Sequence, residues 1–284
     1  MILVTGATGK IGRELVSLLR QSGVPFCAMV RKPLAELPAD ITRPGDFADG
    51  ASLHAAFADV TRLFLLCGAQ PTMDTLEINA IEAAHESGVE RIVKISVPNA
   101  SERGSAKLQR LHGRSEAALR ASGMNWTILR PNAFMQNLYG STQGFDESRT
   151  CRLPLGEAKY CFVDARDIAA TAMTALISTG HAERVYDVTG PQALSYYTAA
   201  NIVSEVTGKN FRFVDITPDE SRAGMLASGI DAWFVDEILE WFALFRAGEV
   251  GGVNNSVERV TGRPPRRLSD FVRAHADEFR AFGG

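Results

Sequence analysis

The chain has 284 residues, 45% of them hydrophobic and 22% charged, with a formal net charge of −3. That balance fits an ordinary globular protein, and its slight acidity gives no electrostatic reason to expect nucleic acid or an anionic membrane as partner. No apolar run approaches the roughly 20 residues that a membrane helix needs, and no basic region precedes the first apolar run as it would in a signal peptide. The four cysteines, Cys27, Cys67, Cys151 and Cys161, have no C-x-x-C spacing, and the five histidines are scattered. A reducing cytoplasmic setting and no metal are expected.

The first five residues form a short β-branched apolar run, and Gly6, Gly9 and Gly12 follow at once. Beyond them Ile11, Leu15, Val16, Leu18 and Leu19 recur at helical spacing. Strand, glycine turn and helix in that order predict a corner that binds phosphate on a helix N-terminus. The spacing is G-x-x-G-x-x-G, and Thr5, Gly6, Thr8, Gly9, Lys10, Ile11 and Gly12 are its candidate cofactor contacts.

Strands are predicted next at residues 24–30, 41–47, 62–67, 91–97 and 126–129, with helices at 52–57, 74–87 and 105–122 between them. Alternating strands and helices predict an α/β fold: a doubly wound parallel sheet of the Rossmann type. After residue 131 the pattern loosens into helices at 166–178 and 195–207, a strand at 185–189, and a mixed stretch holding Trp233, Trp241 and Phe245. The expected division is a dinucleotide-binding domain over 1–150, with a returning segment near 160–190, and a smaller C-terminal α+β lobe over 151–284. Arg263 to Arg267, around two prolines, reads as a solvated turn ahead of a helix.

A doubly wound sheet binds its ligand at the carboxyl ends of its strands. The second predicted strand ends at Arg31 and Lys32, with no acid to hold a ribose 2′-hydroxyl. Two cations there suit a 2′-phosphate, so NADP(H) is the expected cofactor. Asp46 and Phe47, ending the third strand, are placed near the adenine. Cys67 and Gly68, ending the fourth, are placed where the dinucleotide backbone passes.

Several stretches resemble the NmrA-like branch of the atypical short-chain dehydrogenase/reductases: the glycine corner, residues 111–116 around His112, residues 123–132 running into Pro131 and Asn132, and residues 162–169 with Asp164, Arg166 and Asp167. The likeness is nearest to the group of NADPH-dependent quinone oxidoreductases and triphenylmethane-dye reductases, and it loosens over 209–260. It implies a Rossmann domain, a smaller lobe and a substrate cleft between the two. Ordinary members of the superfamily use a Tyr-x-x-x-Lys pair. None of Tyr139, Tyr160, Tyr186, Tyr196 and Tyr197 has a lysine four residues on. Reduction of an unactivated ketone calls for a placed acid, so the expected acceptor is small, flat, aromatic and electron-poor, such as a quinone. Positioning then matters more than proton transfer.

His112 is the best remaining acid or orienter, on one helix face with Glu116. Ser96, ending the fifth strand where the nicotinamide should lie, has no adjacent base in the sequence and reads as a positioning hydroxyl. Asn132, Phe134, Met135, Phe162 and Trp233 are the candidate substrate wall, whereas Trp241 and Phe245 read as core. Asp164, Arg166 and Asp167 fit ion pairing between lobes as well as catalysis. The alternative to an enzyme is a non-catalytic NADP(H)-binding regulator that senses redox state through protein partners.

Overall fold

The computed structural model describes every residue except 33–36, 140, 142, 251 and 283–284. The chain runs β1 (Ile2–Val4), α1 (Lys10–Ser22), β2 (Phe26–Val30), β3 (Thr42–Pro44), α2 (Gly50–Phe57), β4 (Arg62–Leu65), α3 (Met73–Glu86), β5 (Arg91–Ile95), α4 (Lys107–Ala121) and β6 (Asn125–Pro131). It continues with β7 (Thr150–Leu153), α5 (Ala165–Ile177), β8 (Arg184–Val188), α6 (Tyr196–Thr207) and β9 (Arg212–Asp215). The last helices are α7 (Pro218–Ala227), α8 (Ala232–Arg246), α9 (Ser256–Thr261), α10 (Leu268–Ala274) and α11 (Ala276–Arg280).

The sheet's strands are short, apolar and buried, as strands covered on both faces must be. All three residues of β1 are buried, as are the last three of β4 and the last four of β5. Seven strands lie in the order β3-β2-β1-β4-β5-β6-β8, with parallel pairing from β3 across to β6. The order reverses between β1 and β4, which puts the ligand crevice at the carboxyl ends of those two strands. On α1, Ile11, Leu15, Val16 and Leu19 make the buried stripe, and Gly23 ends the helix in the left-handed region at φ 68°. On one face of the sheet Leu53, Phe57, Leu63, Ile81, Ile92 and Ile128 belong to a single core cluster.

The chain divides into two units, Met1–Arg130 with Ile168–Asp187 and Pro131–Asp167 with Val188–Gly284. The division expected at residue 150 therefore moves to Arg130, because β6 is the last strand the first stretch gives the large sheet and β7 pairs instead with β9. The returning segment is stitched to the first unit by backbone groups. The Arg91 guanidinium donates to the carbonyls of Ala175, Leu176 and Ser178 at 3.2, 3.1 and 2.6 Å, serving the open end of α5. Thr127 Oγ1 donates to His181 O at 2.7 Å, and Glu183 N to Trp126 O at 2.7 Å.

The second unit is α+β. Its two-stranded parallel sheet pairs Thr150 with Arg212 and Leu153 with Asp215. These strands escape sequence reading because each is four residues long and mixes polar with apolar residues. The rings of Tyr160, Phe162, Tyr196 and Phe245 form its aromatic core. Tyr160 lies stacked on Phe245 with centroids 3.7 Å apart.

Candidate active site

The corner between β1 and α1 is built for an anion. Gly6 sits at φ +62°, where side chains are strained. Gly12 has no room for a Cβ, which would lie 2.7 Å from Ala7 Cα and closer still to Gly6 O. Gly9 caps α1 without a side-chain hydrogen bond, and the first turn carries no acid. Backbone N–H groups and the positive end of the helix dipole are thus left to an anionic ligand, as a dinucleotide pyrophosphate requires. Ile11 is buried, whereas Lys10 is exposed at the helix start. Thr5 also serves the sheet. Its Oγ1 donates to Phe64 O at 3.0 Å and accepts from Leu66 N at 2.9 Å, pinning the end of β1 to β4.

Arg31 and Lys32 follow β2 and are exposed, with no acid beside them in the chain. Asp46 and Phe47 are half-buried after β3; Asp46 accepts from Ala48 N at 2.9 Å, and Phe47 O accepts from Asn79 Nδ2 at 3.0 Å. Cys67 is buried at the end of β4, and burial followed by the Glu77 carboxylate pushes its thiol up to about 11. Gly68 is exposed with open space where a Cβ would go. It leaves room there and is not required by the backbone.

At the carboxyl end of β5 lies a buried polar cluster that the sequence did not announce. Lys94, with no exposed surface, donates to Glu77 Oε2 at 2.8 Å and to Ile95 O at 2.9 Å, and lies 3.0 Å from His112 Nδ1. Ser115 Oγ donates to the same Glu77 oxygen at 2.7 Å, and Glu77 Oε1 has no hydrogen-bond partner among the described residues. The available signal was a lysine inside the otherwise apolar run 92–95, which demands a buried carboxylate. His112 is 6% exposed, and burial, then the Lys94 and Arg130 cations, hold its pKa well below the ordinary histidine value. That direction favours the neutral imidazole at neutral pH.

His112 and Glu116 share a helix but serve separate networks. Ser96 Oγ donates to Glu116 Oε1 at 2.6 Å, so this serine does have a neighbouring carboxylate. Arg130 straddles that carboxylate, Nε to Oε1 at 2.9 Å and Nη2 to Oε2 at 2.6 Å, and Arg120 adds a contact at 3.1 Å. Burial would raise Glu116; hydrogen bonds from Arg130 and Ser96 outweigh it and hold the carboxyl below its usual range. An anion so well satisfied is a poor base. The loop after β5 is held where α4 passes at Gly113, whose Cβ would sit 2.6 Å from Ser101 Cα.

Tyr186, the first unit's only tyrosine, bonds to His181 at 3.0 Å. In the second unit burial pushes the Tyr160 and Tyr196 phenols well above their ordinary value. Asn132 is buried, its Oδ1 accepting from Ala133 N at 2.9 Å and Cys161 N at 3.2 Å. Met135 and Phe162 are each 1% exposed and lie in that unit's core. Phe134 and Trp233 are half-buried; Phe134 bridges Val163, and Trp233 lies in the first turn of α8, its backbone N–H donating to the Asp231 carboxylate. Asp164 pairs with Arg166 at 2.5 Å and Asp167 with Arg266, both inside the second unit, so neither is an ion pair between lobes. Arg266 N also donates to Asp167 Oδ2 at 2.8 Å, which anchors the turn that the sequence presented as solvated. Among the described residues no group of three or more His, Cys, Asp or Glu could hold a metal ion, and no helix is long and apolar enough to cross a membrane.

Comparison with known proteins agrees with this frame. Residues 6–178 match the family described as NAD(P)H-binding. The chain is 36% identical to an NAD(P)H azoreductase of Xenophilus azovorans, over 99% of this chain and 100% of that one. It is 32% identical to the (4-alkanoyl-5-oxo-2,5-dihydrofuran-3-yl)methyl phosphate reductase of Streptomyces griseus, over 98% and 99% of the two chains. Among solved structures, the NADPH complex of an Escherichia coli quinone oxidoreductase superposes with a TM-score of 0.86 at 25% identity, covering 96% of this chain and 99% of that one. The chain belongs to the NAD(P)H-binding family.

Proposed function

We propose that the protein is an NADPH-dependent oxidoreductase that passes hydride to a small, flat, electron-poor acceptor of the quinone class. The observation that carries this reading is the open glycine corner in a unit whose single tyrosine has no lysine partner. The named reductases among the relatives support it. Gly6, Gly9 and Gly12 would receive the pyrophosphate, Arg31 and Lys32 the 2′-phosphate, and Cys67 and Gly68 would flank the dinucleotide backbone. When bound, NADPH supplies the hydride and leaves as NADP⁺. Ser96 and His112, near the carboxyl end of β5, would orient the acceptor.

A quinone or a conjugated dye becomes a stabilised anion or a neutral product on taking hydride, so a strong placed acid is not needed. The test is steady-state oxidation of NADPH against a panel of benzoquinones, naphthoquinones and azo dyes, with an unactivated ketone as control. Turnover of a conjugated acceptor and none of the ketone is the expected result. Equal binding of NADP⁺ and NADPH with no turnover of any acceptor would overturn the reading and favour a redox-sensing regulator.

A further inference from the structure

The three N–H bonds of an ammonium group can only donate. Those of Lys94 meet the Glu77 carboxylate at 2.8 Å, the Ile95 carbonyl at 2.9 Å and His112 Nδ1 at 3.0 Å. Nδ1 is therefore the acceptor. A proton on Nδ1 would press two donors together in a site where neither side chain is more than 7% exposed. Glu77 lies 3.8 Å from Nδ1, too far to take a hydrogen bond from it. The ring's proton is left on Nε2.

We propose that Lys94, fixed by Glu77, is a positioning residue that locks His112 in its neutral Nε2–H form, so that His112 serves the reaction as a hydrogen-bond donor that keeps its proton. This rests on the quinone-reductase reading above. Hydride from NADPH turns a quinone into a hydroquinone monoanion; Nε2–H steadies the charged oxygen, and solvent water delivers the proton that completes the hydroquinone. A neutral donor of fixed orientation costs no rearrangement as charge develops. Other groups face the ring as well. Lys94 approaches from β5, Glu77 from α3 and Arg130 from β6, while Glu116, one turn on in α4, is engaged by Arg130 and Ser96. Cys67, after β4, feels both Glu77 and Lys94. Two cations and one carboxylate thus act on the imidazole, and the nearer cation sits on the atom that would take the second proton.

The test is nitrogen NMR of the NADPH-bound protein labelled with ¹⁵N-histidine, with His112→Asn used to assign the signal. Expected is a pyridine-like Nδ1 and a protonated Nε2 at every pH from about 5 to 8, the range over which an ordinary histidine titrates. An Nδ1–H tautomer, or titration of His112 in that range, overturns the proposal. Lys94→Met alone leaves Glu77 as an unpaired buried charge and can cost the fold, so the kinetic partner is Lys94→Met with Glu77→Gln, which removes both charges. With a benzoquinone acceptor the double variant should lose about tenfold or more in kcat at unchanged KM for NADPH. Its His112 nitrogen signals should also show an Nδ1–H population that the parent lacks, because no donor then holds Nδ1 as an acceptor. An unchanged tautomer in the double variant overturns the proposal. If no acceptor is reduced at all, the functional reading fails while the NMR experiment still decides the tautomer.

Discussion

Arg130 grips both carboxylate oxygens of Glu116, and Ser96 closes the same group from the end of β5. The Glu116 side chain is 4% exposed and that of Arg130 18%. Removing one partner of such a pair strands the other, at a cost of about 3–5 kcal/mol. Glu116→Gln should therefore destabilise the protein by that amount at pH 7 in urea unfolding. The pH dependence follows from the depressed carboxyl. Its stabilisation is fully present above the unfolded value of 4.5 and is lost as pH falls through the lower folded value. The parent should weaken over that acid limb, and the glutamine variant should weaken less.

Gly12 and Gly68 both belong to the expected cofactor contacts, yet their surroundings differ. Gly12→Ala would drive a methyl into the backbone of Gly6 and Ala7. It should destabilise by about 3 kcal/mol and abolish NADPH binding measured by nicotinamide fluorescence. Gly68→Ala meets open space and should hold stability within about 0.5 kcal/mol. A thermal melt of each variant checks the pair.

Arg31→Ala and Lys32→Ala test the cofactor preference. Each should weaken NADPH by about 10- to 100-fold, the worth of a charge-assisted hydrogen bond to phosphate, and leave NADH nearly unchanged. Equal losses for both nucleotides would mean that these cations steer anions generally and do not read the 2′-phosphate.

Cys67 should be a slow nucleophile despite its place at a strand end. With its thiol pushed up to about 11, little thiolate exists at neutral pH. Alkylation by iodoacetamide should rise about tenfold per pH unit between about pH 7 and 9. All four cysteines are buried as reduced thiols, so all should react promptly once the protein is unfolded.

Tyr186→Phe should retain turnover with a quinone within about threefold, because the aromatic ring stays and only the bond to His181 is lost. A loss of a hundredfold or more would reinstate a tyrosine acid.

The sheet was readable from the sequence because its elements repeat one physical pattern. Buried apolar strands of four or five residues alternate with helices such as α1, whose stripe of Ile11, Leu15, Val16 and Leu19 is plain in the chain. The glycine corner was readable for the same local reason: Gly6 and Gly12 are each demanded by backbone within a few residues. The network at the end of β5 was not, since Lys94, Glu77 and His112 are brought together only by the folding of two helices onto a strand. Helical spacing placed His112 beside Glu116 on one face, but partners on β5 and β6 separated them. Asn132 and Met135 follow β6 and Phe162 precedes Val163 and Asp164, and only three-dimensional packing reveals that their own unit buries them.

The large sheet is not finished when its first six strands have been made. Its seventh strand, β8, and the helix α5 that precedes it come from Ala165–Val188, after the chain has already begun the second unit. On the ribosome the nucleotide-binding half must therefore wait, with the β6 edge unpaired, while residues 131–164 emerge. A nick in that interval would leave two fragments, neither holding the whole sheet. The two halves of this protein are thus obliged to be synthesised, and to mature, together.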